Sequence, residues 1–287
     1  MLVIISQGEA NPSRNKQKVI KTLLKKTITK IKSYLIIMLA ISILSGCNLF
    51  RFSPYDDDLQ TDVRNSNKKN ISKILTILSE TSTDSFAFAL ISDSHSDYDD
   101  LHDVVKWINN NKNIKFTLFL GDQTDFGLKF EFENTLKELK ELNIPFITII
   151  GNHDYLSQGK SLFEKLYGET NFTFSAGSNK FICFDNIVWE NNNKKPDFEW
   201  LRNELNYHSG NIFLLSHIPE ESEPMSDYRL EYNSLIEDIP NLYRFHGHTH
   251  RFRDEWPKLT TCEITKKIIP VIYVQGSAVY YSIEECE

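Results

Sequence analysis

Residues 86–95 read Phe-Ala-Phe-Ala-Leu-Ile-Ser-Asp-Ser-His, an apolar run that ends in Asp93 and His95. An apolar run of this length predicts a buried strand. Apolar residues at helical spacing follow over 101–108, and a second apolar run covers 116–120. The succession of strand, helix and strand predicts an α/β fold, in which crossover helices join parallel neighbours.

The same alternation continues towards the C-terminus. A helix is predicted near residues 130–142, a third strand over 146–150 and a later helix over 197–205. Further strands are predicted at 172–174, 181–184, 212–215, 243–245 and 268–274. The later strands follow one another with fewer helices between them, so the sheet is expected to become mixed.

Five of the predicted strands are followed directly by Asp, Asn or His. The motifs are Asp93-x-His95, Asp122-x-x-Asp125, Asn152-His153, His217 and His248-x-His250. Ligands of open α/β folds bind beyond the carboxyl ends of the strands, so these side chains are expected to meet at one rim. A structural role is the common explanation for one such residue, but it does not account for five strand ends together.

These residue types suit divalent and transition-metal cations. Imidazole nitrogen favours zinc, iron, nickel or copper, and carboxylate and amide oxygens add affinity for manganese or magnesium. An Asp carboxylate has two oxygens and can bridge two ions. Two ions held close together can share one hydroxide and clamp both ends of an in-line phosphoryl displacement.

Together with Gly121, Gly151 and Gly247, the motifs resemble those of the calcineurin-like metallophosphoesterase superfamily. The resemblance covers residues 86–250. It implies a four-layer α/β/β/α sandwich of two mixed sheets. It also implies hydrolysis of phosphomonoesters or phosphodiesters by attack of a metal-bridging hydroxide.

The resemblance further implies a role for each motif residue. Seven residues would ligate two metal ions: Asp93, His95 and His250 the first, Asn152, His217 and His248 the second, and Asp122 both. His153 would protonate the leaving oxygen or stabilise the transition state, and Asp125 would orient His153. The metals would be manganese, iron or zinc, with the choice left open.

The charge of the chain is unevenly distributed. Residues 1–46 hold eight Lys or Arg against one Glu, so the remainder carries 24 basic and 38 acidic residues and a net charge of −14. A body this acidic repels a nucleic-acid backbone. We therefore expect no nucleic-acid partner, which disfavours a nuclease, whereas the expected phosphate-ester substrate is what the family resemblance implies.

The N-terminal segment has the pattern of a secretory signal. A Lys-rich stretch precedes an apolar run over 34–44, and Ser45-Gly46-Cys47 follows, which resembles the lipobox of bacterial lipoproteins. This predicts a signal peptide over 1–46, a lipidated Cys47 with a tether over 47–70, and a catalytic domain over 71–287. The protein would then be a lipoprotein anchored in the membrane of the cell envelope. The alternative is an uncleaved signal anchor in which Cys47 is an ordinary thiol.

Two further alternatives stay open in the sequence. A non-catalytic, metal-bearing scaffold at the envelope is the main competing function, although every motif position is present. Cys262 and Cys286 could pair in an oxidising compartment, which would leave Cys183 free, although isolated thiols at all three positions are the simpler interpretation.

Overall fold

The computed structural model describes residues 12–44, 56–206 and 210–286. Cys47, the expected lipidation site, lies outside the described residues. The chain divides into two compact units, with the boundary after residue 51.

The first unit contains one helix, α1 (Pro12–Leu44), of 33 residues. The Lys-rich stretch and the apolar run of the expected signal peptide are therefore continuous in one helix. Its apolar side chains are exposed, for example Ile36 at 67% and Met38 at 68%. Among the described residues, no helix has both the length and the apolar character that crossing a membrane requires.

The second unit contains six helices and eleven strands in the residues that the structure describes. The helices are α2 (Ser66–Glu80), α3 (Tyr98–Asn110), α4 (Lys129–Leu139), α5 (Gly159–Leu166), α6 (Phe198–Leu205) and α7 (Arg229–Ile236). The strands are β1 (Ser85–Ile91), β2 (Ile114–Phe119), β3 (Phe146–Thr148), β4 (Phe172–Ala176), β5 (Asn179–Cys183), β6 (Asn211–Leu215), β7 (Leu242–His246), β8 (Arg253–Glu255), β9 (Lys258–Thr260), β10 (Ile268–Gln275) and β11 (Ala278–Glu285).

The strands form two sheets, in the orders β11-β10-β1-β2-β3 and β4-β5-β6-β7-β9-β8. In the first sheet β1, β2 and β3 run parallel, whereas β10 is antiparallel to both of its neighbours. In the second sheet β5, β6, β7 and β9 run parallel, and the edge strands β4 and β8 are antiparallel. Both sheets are mixed, which confirms the predicted fold class.

The two sheets pack face to face through aromatic side chains. The ring of Phe88 stacks on that of Phe116 at a centroid distance of 5.0 Å, and meets Phe181 and Phe213 of the second sheet edge-on at 5.7 and 5.5 Å. Burial of each ring stabilises the fold by roughly 1.5–3 kcal/mol. Ala89 points the other way, into the cluster formed with the helices. The result is four layers, helix, sheet, sheet and helix.

Helix α2 pairs with the edge of the first sheet. The side chain of Asn67 donates to the carbonyl of Thr148 at 2.8 Å and accepts from its amide at 3.0 Å. The Asn70 side chain donates to the first carbonyl of β3 at 2.8 Å. These buried amides satisfy backbone groups that an edge strand leaves unpaired. The helix therefore begins at Ser66, before the predicted domain boundary at residue 71.

The segment before α2 also packs on the body. Asp56 forms an ion pair with Lys129 at the start of α4, and Asp57 forms one with Lys165 in α5. Leu59 is buried in the same region. Residues 56–70, expected to belong to the tether, are therefore part of the folded body.

Candidate metal centre

All seven predicted metal ligands lie on loops at the carboxyl ends of parallel strands. Those from the first sheet follow β1, β2 and β3, and those from the second sheet follow β6 and β7. The structure brings them into one continuous cluster of contacts: Asp93, His95, Asp122, Asn152, His217, His248 and His250. The two sheets thus build the site together.

Asp93, His95 and His250 form the first group of donor atoms. The Nε2 atoms of His95 and His250 lie 3.0 Å apart. The Asp93 Oδ1 atom lies 3.9 Å from the first of these nitrogens and 3.6 Å from the second. The three atoms lie within 3.9 Å of one another, so they could bind the same ion.

Asp122, Asn152, His217 and His248 form the second group. The Nε2 atom of His217 lies 3.1 Å from Asp122 Oδ2 and 3.2 Å from Asn152 Oδ1. The Nδ1 atom of His248 lies 2.9 Å from the same Asn152 oxygen. This group combines two imidazole nitrogens with one carboxylate and one amide oxygen.

Asp122 lies between the two groups. Its Oδ2 atom is 3.1 Å from His217 Nε2 and 3.6 Å from His95 Nε2, one nitrogen from each group. Its Oδ1 atom accepts a hydrogen bond from the backbone amide of His153 at 2.8 Å. The carboxylate is thereby held between the two groups of donor atoms, where the predicted bridging ligand would lie.

Hydrogen bonds on the far side of the cluster orient its members. The Nδ1 atom of His217 donates to the carbonyl of Leu120 at 2.7 Å, which leaves Nε2 to face Asp122. The backbone amide of His248 donates to both oxygens of Asp93, at 3.0 and 3.1 Å. The loops after β1 and β7, which belong to different sheets, are linked in this way.

Five of the seven residues have a left-handed backbone. The φ angles are 53° at Asp93, 42° at His95, 56° at Asp122, 70° at His248 and 56° at His250. Each such conformation costs a non-glycine residue about 1–3 kcal/mol and persists where the surroundings enforce it. Their concentration in one cluster is typical of a functional site.

Glycines allow the loops to approach one another at two points. A Cβ atom on Gly151 would lie 2.2 Å from both the amide nitrogen and the Oδ1 atom of Asp122. A Cβ atom on Gly247 would lie 2.6 Å from Asp93 Oδ2. Glycine is needed here because a side chain would displace the ligand carboxylates.

The charges of the cluster are strongly coupled. Burial raises the pKa of Asp93 to about 7. Burial has the same tendency at Asp122, but the adjacent His217 outweighs it and lowers the Asp122 pKa to about 2. Burial disfavours protonated His217, but Asp122 outweighs this effect and raises the His217 pKa to about 10. The contact between Asp122 and His217 therefore favours the charged form of both side chains, and a cation bound beside Asp122 would likewise stabilise its carboxylate.

The donor set fits two metal ions. Two nitrogen ligands at roughly 2.0–2.1 Å from one ion stand about 3 Å apart, as His95 Nε2 and His250 Nε2 do. Asp122 supplies the shared carboxylate between this group and the second. Mixed imidazole, carboxylate and amide donors suit manganese, iron or zinc.

His153 lies beside the cluster, and its ring centroid is 4.7 Å from that of His95. Its Nδ1 atom pairs with the backbone carbonyl of Asp125 at 2.8 Å. The Asp125 carboxylate lies instead 3.5 Å from His95 Nδ1. The predicted pairing of Asp125 with His153 is therefore made by the main chain, and the carboxylate faces His95, one of the predicted metal ligands.

Residues 86–252, more than half of the chain, match the family described as calcineurin-like phosphoesterase. The chain belongs to this family. No curated protein matches it in sequence. The family assignment agrees with the fold and with the donor set at the rim.

Two solved phosphatases have a similar fold. A dimetal phosphatase from Danio rerio shares 14% identity, with a TM-score of 0.52 over 70% of this chain and 99% of that one. A purple acid phosphatase from yellow lupin (Lupinus luteus) seeds shares 9% identity, with a TM-score of 0.54 over 70% of this chain. The aligned part is 52% of the lupin enzyme. At these identities the likeness establishes the fold.

Asp154 stabilises the rim of the candidate site through hydrogen bonds to backbone amides. Its Oδ1 atom accepts from the amides of Gln123 and Thr124 at 3.0 and 3.1 Å, and its Oδ2 atom accepts from the Gly151 amide at 3.0 Å. The carboxylate therefore joins the loops that carry Asp122 and Asn152.

Glu190 is a residue of the site that the sequence motifs do not include. Its Oε1 atom accepts a hydrogen bond from the side-chain Nδ2 atom of Asn152 at 3.1 Å. This contact directs the side-chain oxygen of Asn152 towards His217 and His248. Its Oε2 atom is buried and has no hydrogen-bond partner among the described residues. Glu190 lies in a loop rich in Asn and Lys, where nothing in the sequence marks it.

Replacement of Glu190 should weaken metal binding while the fold is kept. In Glu190→Ala the Asn152 amide can rotate, so we expect metal affinity to fall about 10- to 100-fold, as for other residues that orient metal ligands. Glu190→Gln keeps a hydrogen-bond acceptor at this position, so its metal affinity should fall less than that of Glu190→Ala. Calorimetric titration with Mn²⁺ measures both variants, and equal affinity of Glu190→Ala and the wild type would contradict this role.

Proposed function

We propose that this family member is a dinuclear-metal phosphoesterase that hydrolyses phosphomonoesters or phosphodiesters. The observation that carries the proposal is the position of Asp122, whose carboxylate lies between two groups of nitrogen and oxygen donors. A single structural ion would not need two such groups around one carboxylate. The dimetal phosphatase of similar fold supports the same reading.

Asp93, His95 and His250 would hold one ion, Asn152, His217 and His248 the other, and Asp122 both. When bound, the two ions supply an activated water and neutralise the charge of the phosphoryl group. The chain's own residues fix the geometry. Burial of Asp93 and Asp122 at 1% exposure excludes water from the carboxylates and strengthens their attraction for cations.

His153 is the residue placed to serve the leaving group. Its Nδ1 atom is engaged by the Asp125 carbonyl at 2.8 Å, so Nε2 is the ring atom left to give a proton. Its backbone amide is fixed by Asp122, which couples the position of the ring to that of the bridging carboxylate. One nitrogen of the ring lies within 4.8 Å of donor atoms of His95 and Asp122. We assign the ring to the leaving group, because the two proposed metal sites have their ligands without it.

A substrate panel with metal analysis tests the proposal. The purified chain is loaded with Mn²⁺, Fe²⁺ or Zn²⁺ and assayed on 4-nitrophenyl phosphate and bis(4-nitrophenyl) phosphate. We expect two ions per chain and metal-dependent release of nitrophenol from at least one ester. Two bound ions without turnover of either ester would favour a metal-bearing scaffold instead.

We also propose that the protein is tethered to a membrane of the cell envelope through a lipid on Cys47. The sequence before Cys47 and the exposed apolar side chains of α1 support this location. In cells fed a lipid analogue, Cys47→Ala should abolish labelling and processing. Labelling that persists in the variant would refute the lipid anchor.

A further inference from the structure

Two aromatic side chains stand out by their exposure. Among the Phe and Trp side chains that the structure describes, Phe126 and Trp189 are the exposed ones, at 62% and 49%. Single exposed apolar residues are ordinary on a protein surface. These two differ in position, because both lie next to residues that contact the candidate metal centre.

Phe126 directly follows Asp125, whose carbonyl pairs with His153 Nδ1 at 2.8 Å. Trp189 directly precedes Glu190, whose carboxylate accepts from the Asn152 side chain at 3.1 Å. Asn152 and His153 are consecutive residues. Along the chain, the two aromatics are therefore direct neighbours of residues that contact this dipeptide, whose His153 would protonate the leaving oxygen.

Both aromatics lie on loops whose backbone is fixed. The amides of Phe126 and Leu128 donate to Glu131 Oε2 at 3.1 and 2.9 Å. Trp189 follows the buried Val188, whose carbonyl accepts from the Asn191 amide at 3.1 Å. When a large ring is carried on a rigid loop, less conformational entropy is lost on binding, because the loop is already ordered.

We propose that Phe126 and Trp189 form an aromatic rim that binds a flat ring in the leaving group of the substrate. The inference rests on the proposed phosphoesterase activity. A flat aromatic ring is matched by the faces of Phe and Trp, which stack on it in offset or edge-on geometry. The substrate class is then a phosphate ester of an aryl alcohol or a nucleoside rather than of a small alkyl alcohol.

The test compares esters with and without a ring. Wild type, Phe126→Ala, Trp189→Ala and the double variant are assayed as Mn²⁺-loaded full chains on 1-naphthyl phosphate, a nucleoside 5′-monophosphate and glycerol 2-phosphate. We expect the ratio of kcat/KM for each ring-bearing ester to that for glycerol 2-phosphate to fall about tenfold in the double variant, equivalent to about 1.4 kcal/mol. Because the ratio is compared between variants, the differing reactivity of the esters cancels.

Three variants serve as controls. Tyr280→Ala removes an aromatic ring that is 44% exposed on β11, outside the loops of the metal centre, and should leave the ratio unchanged. Phe126→Tyr and Trp189→Phe keep a ring at each position and should retain the ratio within about twofold, since stacking needs only the aromatic face. If the double variant keeps the wild-type ratio of kcat/KM between ring-bearing esters and glycerol 2-phosphate, the proposed aromatic rim is wrong.

Binding of a non-hydrolysable probe separates this inference from the activity itself. Calorimetry with phenylphosphonate and methylphosphonate should show a preference for the phenyl compound that the double variant loses. If the wild type hydrolyses none of the esters, the proposed function is refuted. The binding preference for phenylphosphonate would still show whether the aromatic rim binds a ring. Equal binding of both phosphonates by the wild type would overturn the rim.

Discussion

Asp122→Asn is expected to remove bound metal and phosphoesterase activity together. The substitution keeps the size of the side chain and leaves an oxygen to accept from the His153 amide, as Asp122 Oδ1 does at 2.8 Å. It removes the negative charge that lies between His95 and His217. A neutral amide cannot bridge two cations as a carboxylate does, so both groups of donors should lose affinity.

We expect fewer than two ions per chain and a fall in kcat/KM of about 10³-fold or more on 4-nitrophenyl phosphate, because in the proposed mechanism the bound ions would supply the activated water. Metal content by mass spectrometry and steady-state kinetics on the same preparation measure the two effects. Asp99→Asn is the matched control, since Asp99 is an exposed carboxylate in the first turn of α3, outside the cluster. Full metal content with lost activity would show that Asp122 acts in chemistry without holding the metals.

The joint loss follows from how the site is assembled. The loops after β1, β2 and β3 of the first sheet supply Asp93, His95, Asp122 and Asn152, and the loops of the second sheet supply His217, His248 and His250. The packing of Phe88 against Phe181 and Phe213 between the sheets sets the distance over which these loops meet. Asp122 lies close to predicted ligands from both sheets, His95 from the first and His217 from the second, so its charge acts where the two sets of loops meet.

The sequence predicts most of the strands that build the rim because their apolar runs end in polar motifs. The predicted run over 86–91 corresponds to β1, and that over 212–215 to β6. The motif residues are each placed at the carboxyl end of a strand, as the sequence order suggests. The family's motifs then supply the roles, which spacing alone does not.

Other elements have no comparable signal in the sequence. Strand β8 has three exposed charged residues, and its pairing with β9 depends on a neighbour already in the sheet. Strand β11 is only partly buried and is held by its register with β10. The start of α2 depends on contacts between Asn67 and β3 that join residues far apart in the chain. Such tertiary contacts override local propensity.

Contacts within the candidate site are likewise not predictable from local sequence. The motif predicts that Asp125 is near His153, but a motif does not distinguish a carboxylate from a backbone carbonyl as the acceptor. The structure assigns the carbonyl to His153 and turns the carboxylate towards His95. Glu190 lies 38 residues from Asn152 in sequence and in no motif, so its contact with the Asn152 amide is visible only in the fold.

His153→Ala is expected to show the opposite pattern to Asp122→Asn, with metal kept and rate lost. The hydrogen bond that Asp122 accepts from His153 uses the backbone amide, which alanine retains. The bridging carboxylate should therefore stay in place. The imidazole is lost, and with it the proton donor beside the leaving oxygen, so kcat should fall about 10²- to 10⁴-fold on an alkyl ester such as glycerol 2-phosphate.

A comparison of two leaving groups tests whether His153 acts as the general acid. 4-Nitrophenol departs readily as an anion, so His153→Ala should lose much less rate on 4-nitrophenyl phosphate than on the alkyl ester. His102→Ala is the matched control, since His102 lies on α3 beside Glu138 and away from the cluster. Equal losses on both esters would assign His153 to charge stabilisation rather than proton transfer. Loss of metal in His153→Ala would make the ring a ligand, because its nitrogen also lies close to donor atoms of His95 and Asp122.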